Sequence, residues 1–237
     1  MKTCYNCGSS YSGNFCPECG ESTPHRINHH FVWHEVQHGV LHFENGLFYT
    51  IKELITHPGD CVRHFLEGNR KRNYKPIAFV IVTSAIYLLV KHFLHFNEFG
   101  NAQMPGKNPK ILMNWVAENY SYANLIEILL IAIVLKLFFI NREYNYFEYL
   151  VLLCYLTGMG MLFGVIAMIA AHYTGAGFIY HSIYFWAFFV YVSWGIGQFF
   201  GGGRINYLLG GISYFCGVSA FSVFAIGIGI AMDLMGL

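Results

Sequence analysis

The chain has 237 residues and a formal charge of +1, and its composition is 55% hydrophobic, 18% aromatic and only 11% charged. So apolar a composition excludes an ordinary soluble domain and predicts an integral membrane protein. The near-neutral charge excludes the clustered Lys and Arg excess of a nucleic-acid-binding surface, so no nucleic acid is expected as a partner.

The first element, residues 1–24, is polar and rich in Cys, Gly and Ser, and too short to bury a core without a staple. Cys4-x-x-Cys7-Gly and Cys16-Pro-x-Cys19-Gly form two C-x-x-C pairs eight residues apart. Each pair makes a tight knuckle whose Gly turns backbone amides toward the thiolates, and four sulfurs complete a tetrahedral zinc site. Two disulfides, another metal or a redox pair are the alternatives, the disulfides being disfavoured in a reducing cytoplasm. Four protein ligands leave no open position, so such a zinc is structural, and the small zinc ribbon it folds is expected to dock a protein partner. Met1 leads directly into this polar stretch, with no basic n-region and apolar h-region. No cleavable signal peptide is expected, and the N-terminus is expected in the cytoplasm.

Residues 28–75 come next. Asn45-Gly46 and Pro58-Gly59 punctuate 28–68 into about three short amphipathic helices. On a helix over 30–44, Val32, Val36, Val40, Phe43 and Leu47 face one side and His30, His34, His38 and His42 the other. The stretch contains His34-Glu35-x-x-His38, in which two histidines one turn apart can share a metal while the glutamate activates a bound water as catalytic base. A third ligand is awkward. Gly39 comes too early for the glycine turn of a metzincin, and His42 stands about 12 Å along an unbroken helix from His34. Completion by His42 with Glu44, or by Glu53, Asp60 or His64 from the following helices, would give a second site for zinc or another divalent metal. A hydrogen-bonded or pH-responsive histidine row is the other reading. Arg63, His64, Arg70, Lys71, Arg72 and Lys75 then form a basic collar. It serves either as an anchor at the inner surface or, with Arg70, Lys71, Arg72 and Lys75, as a binding site for anionic lipid headgroups.

From Pro76 onward, five apolar runs near 76–96, 123–141, 147–171, 178–200 and 208–236 are long enough to cross a hydrocarbon core of roughly 30 Å. Tyr74, Tyr120, Tyr122, Tyr144, Tyr180 and Tyr207 suit interfacial belts. Arg70 to Lys75, Arg142 and Arg204 fall on one side of the alternation, which predicts a cytoplasmic N-terminus and an external C-terminus, with Lys136 snorkelling at the inner end; Lys107 and Lys110 in the outer loop oppose this mildly. Glu127 and Asp233, with His172 and His181, sit toward the outer ends and form no continuous proton path. The Gly158-x-Gly160, Gly195-x-Gly197 and Gly227-x-Gly229 pairs are expected to permit close helix contact, and Cys61, Cys154 and Cys216 to be packed thiols.

Together with Gly46-Leu-Phe-Tyr-Thr-x-Lys52-Glu53-Leu, Pro58-Gly59 and Gly68-x-Arg70-x-Arg72-x-Tyr74-x-Pro76, the cysteine and histidine motifs make the first third of the chain resemble an uncharacterised bacterial family. Its members join a short zinc ribbon to a multispan membrane region. The resemblance implies a bacterial inner-membrane location and carries no activity. The expected architecture is therefore an all-α integral membrane protein of about five transmembrane helices (76–237), preceded by histidine-bearing amphipathic helices and basic collar (28–75) and a small N-terminal zinc ribbon (1–24). Its expected role is a non-catalytic scaffold. The alternatives are a membrane-bound zinc hydrolase, peptidase or lipid-directed, built on His34, Glu35 and His38, and a transporter or membrane-perturbing effector.

Overall fold

The structure is a computed structural model and describes residues 2–4, 7–20, 26–29, 46–70, 72–95 and 120–234. Within these, a two-residue hairpin, β1 (Lys2–Thr3) paired antiparallel with β2 (Ser10–Tyr11), precedes seven helices. These are α1 (Leu47–Thr56), α2 (Pro58–Glu67), α3 (Pro76–Phe93), α4 (Tyr120–Phe138), α5 (Tyr146–Thr174), α6 (Gly177–Phe199) and α7 (Arg204–Leu234).

Local sequence sets the helix ends. Pro58 and Pro76 occupy the first turns of α2 and α3, where a missing N–H costs nothing, and Gly68 closes α2 at φ +122°. The start of α5 is a capping box: Asn145 accepts from the Glu148 N–H, and the Glu148 carboxylate accepts from the Asn145 N–H.

Contacts at small residues fix the helix directions. Gly158 and Gly164 of α5 meet Phe79 and Tyr87 of α3, so these two helices run parallel and the chain between them must return. Gly160 meets Phe188, and Gly195 meets Leu156, so α5 and α6 are antiparallel. Gly210 and Gly211 meet Ile196 and Ser193, which makes α6 and α7 antiparallel as well. The first two glycine pairs thus serve close helix contact as expected, whereas among the described residues nothing lies within 4 Å of a Cβ built on Gly227.

Among the described residues, three helices are long and apolar enough to cross a membrane: α3, α5 and Arg204–Ile228 of α7. The expected count was about five. Tyr180, Tyr184, Trp186, Trp194 and Gln198 dilute the apolarity of α6. Helix α5 is the hub, with a continuous buried run from Glu148 to Leu156. At 29 residues it spans about 43 Å, longer than a hydrocarbon core.

The surplus length at its start packs against the α1–α2 hairpin. Thr50, Leu54, Val62 and Phe65 of that hairpin are almost wholly buried, and the last three belong to the same core as the long helices. The Tyr191 hydroxyl of α6 donates to the Leu54 carbonyl at 3.0 Å, and the Tyr155 hydroxyl of α5 donates to the Tyr74 carbonyl. Tyr155 lies about 13 Å along α5 from its start, so the hairpin is wedged into the end of the bundle. Tyr74 is accordingly a core residue, 3% exposed, not part of an interfacial belt; its N–H donates to Thr50 Oγ1 at 2.7 Å. Cys61 and Cys154 are packed thiols as expected, but Cys216 is exposed on the outer face of α7, while the adjacent Gly217 packs against Ile131 of α4.

Tyr155→Phe tests the wedge. It leaves a buried carbonyl unpaired and is expected to cost about 1–3 kcal/mol, read as a lower melting temperature in detergent.

Candidate functional site

The cysteine head is the candidate metal centre. In each knuckle a glycine after the second cysteine turns into the left-handed region, Gly8 at φ +78° and Gly20 at φ +69°. Those turns let the Gly8 N–H reach the Cys4 carbonyl and the Gly20 N–H reach the Cys16 carbonyl, both at 2.9 Å, which curls each C-x-x-C loop over its sulfurs. The β1–β2 hairpin and a Cys4 N–H to Ser9 carbonyl bond of 2.8 Å close the chain around the first knuckle.

The sulfurs consequently converge. Cys4 and Cys19 Sγ are 3.6 Å apart, Cys7 and Cys16 Sγ are 3.5 Å apart, and all four lie within 4.8 Å of one another. Thiolates at about 2.3 Å from a zinc stand roughly 3.8 Å apart, so the spacing fits one tetrahedral ion. All four are free thiols. The Ser9 hydroxyl sits 3.0 Å from both Cys7 and Cys16 Sγ, and its hydrogen bonds stabilise the thiolate, pulling Cys7 down and Cys16 to about 6. Sequence reasoning found the four cysteines and missed Ser9, which only the folded knuckle brings to the sulfurs. Cys4, Cys16 and Tyr11 form a small core of their own, separate from that of the helices.

His34, Glu35, His38, His42 and Glu44 fall outside the described residues, as does Lys71 of the collar. What is described are the flanks. Before the row, Arg26 pairs with Glu148 at 3.1 Å, the Ile27 carbonyl accepts from Asn145 Nδ2 at 2.8 Å, and His29 lies against Phe147, all at the start of α5. After it, Gly46 sits against the backbone of Arg72 and Tyr74, where a Cβ would fall 2.8 Å from the Arg72 carbonyl oxygen.

The collar is built on the hairpin. The guanidinium of Arg72 lies 5.0 Å from the centre of the Tyr49 ring and that of Arg70 lies 5.7 Å from the centre of Phe65, so each arginine is held by the aromatic face of α1 or α2. Lys75 caps the extended entry into α3. Arg63 turns inward: it pairs with Asp60 and donates to the Gln198 carbonyl at 3.3 Å. Gln198 in turn donates to Asp60 at 2.8 Å and accepts the Gly59 N–H at 2.9 Å, locking α2 to the end of α6. Glu53, Asp60 and His64, weighed as partners for the histidine row, sit on this hairpin; Asp60 is committed to Arg63 and Gln198. Cys61, buried and near Glu53, has its thiol pushed up to about 12, which makes it an inert packing group.

A family profile described as a protein of unknown function (DUF3667) matches residues 44–88. The match covers the wedged hairpin, the basic collar and the first part of α3, and over that stretch the chain is similar to this family. No curated protein and no solved structure matches the chain.

Proposed function

We propose that the chain is a non-catalytic docking protein of a bacterial inner membrane, with its zinc-bearing cysteine head and basic collar on the cytoplasmic side. The observation that carries this reading is the closed set of four converging thiolates. With all four positions supplied by protein, a bound zinc has no place for a substrate or a reactive water, so the head serves as a folded surface. Orientation rests on charge: Arg63, Arg70, Arg72, Lys75, Lys136, Arg142 and Arg204 all lie at the hairpin end of the bundle. Five crossings are supported by the parallel course of α3 and α5, which requires α4 to return between them. They are also supported by outward apolar stripes on α4 (Ile126, Leu129, Ile133, Leu137) and α6 (Ile179, Ile183, Trp186, Val190). In this reading Arg70, Arg72 and Lys75 lie where anionic headgroups meet the collar.

The experiment is affinity purification of the full chain in mild detergent beside a Cys4→Ser/Cys7→Ser variant. Cytoplasmic proteins held by the head are expected to be lost in the variant while the chain stays in the membrane fraction; retention of every partner would overturn the reading. The second reading, a zinc hydrolase, rests on the His34-Glu35-x-x-His38 spacing. Glu35→Gln would then abolish hydrolysis with metal content unchanged, and a phenotype indifferent to that substitution removes it.

A further inference from the structure

A cavity of about 180 Å³ opens between α4, α6 and α7, with α5 as its floor. It is smaller than the roughly 300–1,000 Å³ of drug-sized pockets, which limits its occupant to a small group. One carboxylate, Glu127 of α4, lines it, and among the described residues no basic side chain is paired with that carboxylate. Half of the remaining lining side chains are aromatic, and the rest are aliphatic apart from Asn124 and Thr157. Tyr184 and Phe188 are stacked at 5.9 Å and 3°, and Tyr214 meets Phe188 edge-on at 6.1 Å and 89°, giving ring faces on two sides of a corner. Phe188 is seated by Gly160 of α5, where a Cβ would fall 2.3 Å from the ring. Phe185 and Phe215, half exposed on the outer surface of the bundle, form the rim.

From this arrangement the geometry points to a binding site for a small organic ammonium group, with Glu127 as counter-ion and Tyr184, Phe188 and Tyr214 as the cage. The chemistry selects the class. A carboxyl in an apolar, membrane-level cavity either takes a proton or is joined by a cation, and a single negative charge matches a monovalent one. An inorganic ion would need a close shell of about six oxygens in place of its water, whereas eight of the thirteen lining side chains carry none. A weakly hydrated alkylammonium needs only ring faces and a counter-charge. The ammonium can arrive free in water or as a lipid headgroup entering past Phe185 and Phe215.

The test is calorimetric titration of the full chain in phosphatidylglycerol nanodiscs with choline and with 3,3-dimethyl-1-butanol, its uncharged isostere. Choline is expected to bind saturably and at least tenfold more tightly than the alcohol, since only the cation gains from the ring faces and the counter-charge. Glu127→Gln, nearly isosteric, is expected to erase that preference; its folding is checked by an unchanged elution profile and melt. Equal affinity for the two ligands, no saturable choline binding, or a preference that survives Glu127→Gln would each overturn the proposal. The two-ligand comparison on the parent protein stands even if the variant misfolds. Repeating the titration in phosphatidylcholine nanodiscs identifies the source: choline binding abolished there assigns the site to a lipid headgroup, and binding unchanged there assigns it to a free amine.

Discussion

Alanine at position 59 is expected to be among the most damaging single substitutions in the chain, lowering stability by about 3 kcal/mol or more. A Cβ on Gly59 would lie 2.2 Å from the Phe199 nitrogen, 2.5 Å from the Gly195 carbonyl oxygen and 2.7 Å from the Gln198 carbonyl carbon. Every one of these is backbone, so no side-chain rotation relieves the overlap and α2 must move off α6. Overpacking of a rigid site costs about 1–3 kcal/mol by itself. Here the displacement also breaks the Gly59 to Gln198 and Gln198 to Asp60 hydrogen bonds and draws Leu54 from Tyr191. The measurement is thermal unfolding in detergent, with Gly227→Ala as the comparison, because that site has open space and is expected to melt like the parent. A Gly59→Ala protein that melts like the parent would mean that the hairpin is not seated against α6.

The second large effect concerns metal. Elemental analysis of untagged protein is expected to find one zinc per chain on the cysteine head, and none there in Cys4→Ser/Cys7→Ser. Because the head and the helices have separate cores, loss of the metal should unfold only residues 1–20 or so. Limited proteolysis would then remove the head rapidly while the helical circular dichroism stays unchanged. A head that resists protease equally with and without metal would overturn this. The same measurement on His34→Ala/His38→Ala separates the two functional readings. One zinc in both that variant and the parent leaves the cysteines as the sole site, whereas two in the parent and one in the variant would bring the hydrolase reading forward.

What the sequence made legible was local. The C-x-x-C spacing fixes which sulfurs meet because each knuckle closes within four residues, and the helix start after Gly46 and the break at Pro58-Gly59 follow from backbone chemistry alone. What it hid was where each face goes. The pattern of Thr50, Leu54, Val62 and Phe65 announces an apolar side, but its partners, Tyr155 and Tyr191, lie about a hundred residues or more away. An aromatic before a span usually marks the interface, yet the carbonyl of Tyr74 pairs with Tyr155 and draws it inside. Cys216 failed for the opposite reason: helix α7 is apolar all round, so periodicity cannot tell its packed side from its outer one. Glu127 stood out only as an acid near a helix end. Its cavity exists because rings from α6 and α7 converge on it, and no linear pattern encodes that.

The wedged hairpin also has a consequence for biosynthesis. Its partners on α6 are translated long after it: Tyr191 follows Leu54 by 137 residues, and Gln198 follows Asp60 by 138. At about 5–20 residues per second, that interval is roughly 7 to 28 s. Throughout it, the nascent hairpin presents its apolar side without α6 to cover it, and only α5, made earlier, offers a first seat through Tyr155. The order of assembly is therefore written into the chain. Helix α5 receives the hairpin first, and the emergence of α6 locks it, so a ribosome stalled before Gln198 holds a bundle whose hairpin end has not yet closed.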